Sequence, residues 1–337
     1  MTLRIILSGH GYKLGKHGGM LVLRRSDGEK KEISVGNISL IIANARGIGI
    51  TGDAIHLLLK HGVPVVFMSR NRPIGKLQPM KLRHPVRLKK EQVKAQEDGR
   101  GSYLAKIIVL NKIFNQMRLL KRLRKTKMRT SPQVAIMLDN YLTKMHEIYM
   151  EIDSKELNRY SLIAKEAEAA RHYWSAVATV LPEEIGFRER KKRFDQPSDP
   201  FNISLNYLYS LLASQIWFNV EVSGLDPYIG YLHEDSNRRP SLVMDLMEEF
   251  RQPVIDKPLI HFFMRAREPG SMVDNEGKLG EKPRKELLKI FFQELDKYTT
   301  FQNRTLPIRG HMNLQPKRLA KYLMGYTNTY MPYNVIT

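Results

Sequence analysis

Cysteine is absent from the 337 residues. Disulfides and thiolate zinc sites are therefore excluded, and any metal must be held by His and carboxylate. Acidic residues are scarce: 34 Asp and Glu stand against 55 Lys and Arg, a net charge of +21. Such an excess favours polyanionic partners, because phosphate contacts release counterions; an acidic membrane surface would satisfy charge alone. Long hydrophobic runs are also lacking. The one uncharged stretch long enough to raise a membrane span, residues 200–220, contains Asn202, Asn206, Gln215 and Asn219. Those groups are costly in lipid, so the stretch reads as a buried helix and no membrane partner is expected. The opening MTLRIILSGHG reaches polar residues and Gly too soon for a signal peptide, and the cytoplasm is the expected location. No HExxH, GxSxG or internal repeat occurs, which argues against a zincin-type protease or a serine hydrolase.

What is present divides the chain. The first eighty or so residues hold apolar or β-branched runs (LRIIL, GMLVLRR, KEISV, ISLIIANA, VPVVFMS) punctuated by Gly, Asn or Asp, and they read as short strands joined by hairpins. One short helix near Asp53 to His61 interrupts them, with Thr51 as cap and Gly62 as stop. Pro73, Pro79 and Pro85 then punctuate a basic linker. Beyond it helical periodicity dominates: Ile107, Leu110, Phe114 and Met117 follow a 3/4 spacing, as do Met137, Leu138, Tyr141, Leu142 and Met145. Ser131-Pro132 and Asp199-Pro200 are helix starts. The helix after Asp199 is apolar nearly all round and should be central, while 284–298 and 315–324 read as amphipathic helices. The expected class is α+β: a small β-rich domain over 1–80, a linker over 81–95, and a larger all-α catalytic domain over 96–337.

GIGITG at Gly47 to Gly52 matches GxGxxG between a strand-like run and a helix, the context of a dinucleotide fingerprint. The acid expected about twenty residues on is missing, since no Asp or Glu lies between Asp53 and Glu91. Ser69, Arg70 and Arg72 would leave NADP as the dinucleotide option, but no second βαβ unit follows, and a tight turn entering a short helix accounts for the motif. Gly15-Lys16 fails as a phosphate loop: His17 stands where Ser or Thr is needed.

Three clusters in the second half carry chemistry. Glu166, in KEAEAARHYW, shares a helical face with Ala169, Ala170 and Tyr173, and the two alanines would let another helix approach closely. Asp245 and Glu248, in SLVMDLMEEFR, are three apart on one face among Leu242, Val243, Leu246 and Met247; Glu249 is displaced from it. His233 sits in a loop-like YLHEDSNRRPS segment beside Glu234 and Asp235. A buried acid needs a partner or a metal. Spacing alone leaves open a divalent ion, Mg²⁺ or Mn²⁺, on mixed His and carboxylate ligands, or burial of Glu166 and Glu248 against an Arg such as Arg171 or Arg251.

Longer motifs surround these residues: G-x-G-I-T-x-x-A-x-x-L-L-x-x-H-G-V-P-V-V-F at Gly47 to Phe67, KIFNQ at Lys112 to Gln116, E-x-E-A-A-R-x-Y-W at Glu166 to Trp174, DPFN at Asp199 to Asn202, GLDPYIGYLHED at Gly224 to Asp235, and RPSLVMDLMEEFR at Arg239 to Arg251. Across them the whole chain resembles the CRISPR-associated integrase of spacer acquisition, the "Cas one" family. That resemblance implies a β-domain followed by an α-helical catalytic domain, and metal ligands falling on Glu166, His233 and Glu248. Asp245 would be an accessory ligand or a neighbour supporting one. Ala167 stands where the family's Glu is usually followed by Gly. The implied reaction is attack of a DNA 3′-hydroxyl on a phosphodiester of the CRISPR array, with hydrolysis of branched DNA when water takes the hydroxyl's place. The implied assembly is a homodimer through the β-domain, with pairs of dimers flanking a small adaptor dimer, the "Cas two" protein.

Double-stranded DNA would lie on basic surfaces. Residues 112–129 hold eight Lys and Arg and no acid, with Arg118, Lys121, Arg122, Lys125 and Arg129 near one face; Arg188, Arg190, Lys191, Lys192 and Arg193 form a second cluster. Contacts of this kind position DNA without reading bases. Arg251 would face either the scissile phosphate or Glu248. Two alternatives stand: a casposon-type transposase, for whose extra helix-turn-helix tail no room is expected after Pro332, and a non-catalytic DNA-architectural protein.

Overall fold

A computed structural model describes every residue except 1–2, 8–10, 70–71, 79–85, 193–194, 196–198, 237–238, 267–271, 274–276, 278 and 337, and the side chains of 4, 39, 72 and 73. Two compact units divide at Pro85.

The first unit contains β1 (Leu3–Leu7), β2 (Lys13–His17), β3 (Met20–Arg24), β4 (Lys30–Ser34), β5 (Ile38–Ala43), β6 (Gly49–Ile50), α1 (Gly52–Lys60), β7 (Val65–Ser69) and β8 (Arg72–Leu77). They make two four-stranded sheets, ordered β1-β5-β7-β8 and β4-β3-β2-β6. The expected hairpins are found for β2–β3–β4; β8, which runs into the stretch read as a Pro-punctuated linker, forms an unanticipated hairpin with β7, while β1, β5 and β7 pair in parallel and β6 lies parallel to β2. Parallel pairing needs a crossover, and α1 supplies it between β5 and β7. Leu7, Leu14, Leu21, Ile41, Leu57 and Val65 bring both sheets and α1 into one core. GIGITG forms a turn with Gly47 at φ 79°, then the short β6, then the Thr51 cap, whose Oγ1 accepts from Ala54 N at 3.3 Å. Arg70 of the dinucleotide alternative lies outside the described residues.

The second unit begins with α2 (Val86–Lys94), so most of the segment expected as linker is helical, and residues 81–85 lie outside the described set. It continues with α3 (Arg100–Thr130), α4 (Pro132–Ser154), α5 (Arg159–Val180), α6 (Pro200–Ser223), α7 (Ser241–Met247), a π-helical turn at Gln252–Asp256, α8 (Lys257–Phe263), α9 (Glu281–Asp296), the hairpin β9 (Tyr298–Phe301) and β10 (Arg304–Pro307), and α10 (Ile308–Leu323). Asp199 caps α6 as its spacing predicts, accepting from Asn202 N at 2.8 Å with Pro200 at the first position, whereas Ser131 makes no side-chain cap on α4. No described helix is long and apolar enough to cross a membrane, and α6 is lined by buried Phe201, Leu205, Leu208, Leu212 and Ile216.

The hairpin was not anticipated. Its two-residue turn needs positive φ twice, and Gln302 (φ 49°) and Asn303 (φ 57°) supply it in place of the usual Asn-Gly. A second surprise is the buried stripe of α3. The sequence pattern placed it on Ile107, Leu110, Phe114 and Met117; Met117 is buried but the other three are only half-buried, and the buried face runs through Ile108, Lys112, Asn115 and Leu119. A closing strap, 330–336, lies along this helix: Asn111 and Asn115 donate to Tyr333 O at 3.1 and 3.3 Å, Arg118 to Asn334 O at 2.6 Å, and Arg122 to Ile336 O at 2.7 Å.

Candidate active site

α3, α5 and the end of α7 each bring a charged side chain to one place in the second unit. Glu166 projects from α5, and the neighbouring Ala169 and Ala170 let that helix pack against α3. Glu248 is the C-cap of α7 and is 2% exposed. His233 comes from the loop that joins α6 to α7.

That loop is held by a hydrogen-bond framework. Asp245, fully buried on α7, is its hub. Its Oδ2 accepts from Tyr231 N at 2.6 Å and Leu232 N at 3.1 Å; its Oδ1 accepts from His233 N at 3.0 Å and meets His233 Nδ1 at 2.7 Å. A carboxylate can only accept, so Nδ1 carries a proton, and in the neutral ring the lone pair is on Nε2. With four donors on two oxygens, Asp245 shapes the loop and orients His233. From α2, Gln92 Nε2 donates to Asp226 O at 2.8 Å and Ile229 O at 3.1 Å, and Gln96, in the turn after α2, donates to Gly230 O at 2.8 Å. From α5, Arg159 Nε donates to Leu232 O at 2.7 Å. Asp235 accepts from Gly230 N at 3.0 Å, so this surface acid does help to order the loop, while Glu234 is exposed. Gly230 is required by close approach: a Cβ there would lie 2.7 Å from Ser241 Cβ and 2.8 Å from His233 O.

Between the two glutamates lies a residue the sequence reading did not place there. Lys112 of α3 contacts Glu166 Oε1 with its Nζ, and the same Nζ is 2.9 Å from Glu248 Oε2. Burial works against the ammonium, but Glu166 and Glu248 outweigh it and hold its pKa above the ordinary lysine value. Burial likewise disfavours the Glu248 carboxylate, and Arg251, Lys112 and His233 outweigh that and hold its pKa below the usual range. The His233 contribution places the imidazole within electrostatic reach of Glu248. Arg251 Nη2 is 3.0 Å from Glu248 Oε1, and its guanidinium lies 4.8 Å from the centre of the Tyr209 ring. The Arg251 alternative is therefore realised for Glu248. Arg171 is exposed, and the cation beside Glu166 is Lys112.

Among the described residues no three His, Asp or Glu side chains are gathered tightly enough to form a finished metal site. The donor set nonetheless fits Mg²⁺ or Mn²⁺. Two carboxylates from different segments meet at Lys112 Nζ, and the His233 imidazole is fixed through Nδ1, as ligating histidines are fixed through their second nitrogen. Glu248 Oε2 is buried without a hydrogen bond of good geometry, and such an atom calls for a partner. Beneath the site, buried Asp256 accepts from Tyr173 OH at 2.9 Å and from Tyr209 OH, and burial above all raises its pKa.

The expected DNA-contacting residues separate into two kinds. Lys121, Lys125, Arg129 and Arg188 are exposed. Arg118 and Arg122 are engaged with the strap described above. Arg190 donates to Asn202 Oδ1 at 3.0 Å and Asn206 Oδ1 at 2.7 Å and lies 5.4 Å over the Tyr209 ring, so it ties its loop to α6. Arg193 lies outside the described residues.

Comparison with known proteins identifies the family. The family model for CRISPR associated protein Cas1 matches residues 5–296. A protein of Archaeoglobus fulgidus named CRISPR-associated endonuclease Cas1 1 is 32% identical, with 96% of this chain and 97% of that protein covered. A CRISPR-associated endonuclease Cas1 of Korarchaeum cryptofilum is 30% identical over 98% of this chain and 97% of its own. Among solved structures, a casposase bound to integration product superposes with a TM-score of 0.72 at 24% identity, covering 99% of this chain and 93% of that one. A Cas1 protein from Thermotoga maritima does so with 0.70 at 21% identity, covering 98% and 99%; at these identities the likeness concerns the fold. The match over nearly the full length, together with the two full-length relatives, establishes that the chain belongs to the Cas1 family of CRISPR-associated proteins.

Proposed function

We propose that this protein is a divalent-metal-dependent DNA integrase and endonuclease that inserts captured DNA fragments into a CRISPR array. The observation that carries the proposal is the convergence of Glu166 and the buried Glu248 on one cation, Lys112, with the His233 imidazole held through Nδ1 by Asp245. Relatives named as Cas1 endonucleases and a casposase of the same fold support it.

Glu166 and Glu248 would hold the ion through oxygen and His233 through Nε2. An ion bound there supplies Lewis-acid polarisation of the phosphoryl group and stabilisation of the attacking and leaving oxygens. The chain itself supplies position and charge. Asp245 keeps the imidazole in one tautomer. Arg251, already in the site, can neutralise charge developing on the phosphate. The 3′-hydroxyl oxygen of the incoming strand bonds to phosphorus as the bond from phosphorus to the target's 3′-oxygen breaks. One proton leaves the attacking hydroxyl and one is taken up by the leaving oxygen, so no external energy source or protein nucleophile is needed. With water as attacker the same arrangement hydrolyses branched DNA.

Lys121, Lys125, Arg129 and Arg188 are the exposed cations assigned to DNA phosphates. Dimerisation is assigned to the β-rich unit, where Ile6 is 55% exposed on the edge strand β1. A small adaptor of the Cas2 type is the proposed further partner, in line with the fold match to a Cas6-RT-Cas1--Cas2 complex (TM-score 0.74, 20% identity, 100% of this chain and 36% of that one).

The test is strand transfer from a labelled 3′-hydroxyl duplex into a CRISPR repeat target with Mn²⁺ or Mg²⁺. Wild type should join the strands, and Glu166→Ala and His233→Ala should not. Full joining by His233→Ala, or metal-independent function with Glu166→Ala, would defeat the proposal, the latter in favour of an architectural role.

A further inference from the structure

Lys112 is a buried cation on a helix whose neighbouring basic residues reach the surface. Its side chain is 10% exposed, and it meets two carboxylates that come from two other segments, Glu166 and Glu248. The contact with Glu248 Oε2 is 2.9 Å. Lys112 thus occupies the one location that both glutamates reach together. Local charge closes on this arrangement: Lys112 and Arg251 balance Glu166 and Glu248. A divalent ion received by the same carboxylates would leave two positive charges in excess, strongly unfavourable at a few ångströms inside a protein. Of the two cations Lys112 is the one able to leave. Its charge sits on a flexible four-carbon stem, whereas Arg251 is a planar fork braced over the Tyr209 ring.

From this geometry we propose that Lys112 is a resident counter-cation that closes the site, and that the incoming divalent ion displaces it, freeing its ammonium for a phosphate of the DNA substrate. The inference rests on the metal reading of Glu166, His233 and Glu248. Its consequence is linkage. DNA that engages the freed lysine removes the competitor for the carboxylates, so DNA and metal each tighten the other by the same factor. Without DNA the site takes up metal poorly and stays closed to metal-dependent hydrolysis.

The experiment measures Mn²⁺ binding to the full chain by titration calorimetry and electron paramagnetic resonance, for wild type, Lys112→Met, Lys112→Arg and Glu166→Gln, with folding of each checked by thermal melting. Lys112→Met lacks the competitor and should bind Mn²⁺ roughly tenfold or more tightly than wild type, because the apparent Kd of wild type is the intrinsic Kd divided by the fraction of open sites. Lys112→Arg keeps a cation that can fork between both carboxylates and should bind more weakly; this arm decides alone if the Met variant does not fold. A duplex ending in a dideoxynucleotide, unable to join, should tighten Mn²⁺ binding by wild type and do so far less for Lys112→Met. Equal or weaker binding by a folded Lys112→Met, unchanged binding by Lys112→Arg, or the same DNA effect in both proteins overturns the inference, leaving the metal reading intact so long as Glu166→Gln abolishes the binding. If no variant shows Mn²⁺ binding that depends on Glu166, the metal reading and the inference fall together.

Discussion

Replacing Asp245 by Asn tests whether the His233 loop is built to present one imidazole nitrogen. Aspartate accepts four hydrogen bonds, two on each oxygen; asparagine has one acceptor oxygen. Placed where Oδ2 was, that oxygen keeps the Tyr231 and Leu232 amides, and the new NH₂ then faces His233 N–H and Nδ1–H. The ring can relieve its own clash by moving its proton to Nε2 and accepting at Nδ1. The backbone clash persists, and losing one hydrogen bond to a charged acceptor costs roughly 1.5–3 kcal/mol. For a unit of this size that lowers Tm by roughly 3–12 °C, a loss the fold survives. The proton now on Nε2 blocks the ligating lone pair, and perturbing a ligand's outer partner typically lowers metal affinity roughly 10- to 100-fold. Nitrogen-15 NMR of the imidazole should show Nδ1–H in wild type and Nε2–H in Asp245→Asn. Mn²⁺ titration should show the weakened affinity, and strand transfer should fall in step. A folded Asp245→Asn that keeps the Nδ1–H tautomer, or changes tautomer and still binds Mn²⁺ like wild type, would refute the reasoning.

A second buried acid makes stability depend on pH. Burial first of all pushes Glu249 up to about 7 from an ordinary 4.5, so its contribution is fully present below the unfolded value and is lost as pH rises through 7, a swing worth roughly 3 kcal/mol. Glu249→Gln, whose amide can serve Tyr333 N, Gln315 and Tyr330 OH, should remove that part of the slope between pH 5 and 8 in denaturant titrations, and parallel curves for the two proteins would contradict it. Neutralising Lys121, Lys125 and Arg129 together should reduce the slope of log K against log salt for duplex binding by up to about 2.7, at about 0.9 per phosphate contact; an unchanged slope would remove them from the DNA surface. Arg190→Ala should instead act on folding, losing roughly 1–3 kcal/mol with the Asn202 and Asn206 bonds and the stacking on Tyr209 while leaving the salt slope alone. A lowered salt slope at full stability would return Arg190 to the DNA-contacting set.

Those contrasts follow from what a linear pattern can and cannot carry. Helix starts at Asp199 and Thr51 were legible because capping is local: an acceptor side chain, a few amides, and in one case a proline at the first position. The parallel pairing of β1, β5 and β7 was not, because strand composition does not report direction, and the short α1 that reverses the chain resembles any helix between hairpins. The Gln302–Asn303 turn escaped for want of a glycine. In α3 the error has a chemical origin. Tracking apolar residues put the stripe on Ile107, Leu110, Phe114 and Met117, of which only Met117 is buried, because the true buried face carries Lys112 and Asn115 among its hydrophobic residues. A lysine one turn beyond Ile108 and one before Asn115 is a signal in itself: a charge on a helix's inward face must meet its counter-charge there.

The acids show the same limit from the other side. Spacing put Asp245 and Glu248 on one face, yet the two carboxylates serve different segments. α7 ends at Met247, so Asp245 lies within the helix, under the loop whose amides it gathers, while Glu248 stands at the helix end where α3 and α5 converge. One carboxylate is consumed by backbone donors, and the other is left with a buried oxygen that only a cation serves. The division is set by where the chain turns. The same turning explains why the basic run on α3 separates into Lys112 for the site, Arg118 and Arg122 for the strap, and Lys121, Lys125 and Arg129 for solvent. Net charge announced a polyanion partner, but burial decides which cations remain to meet it.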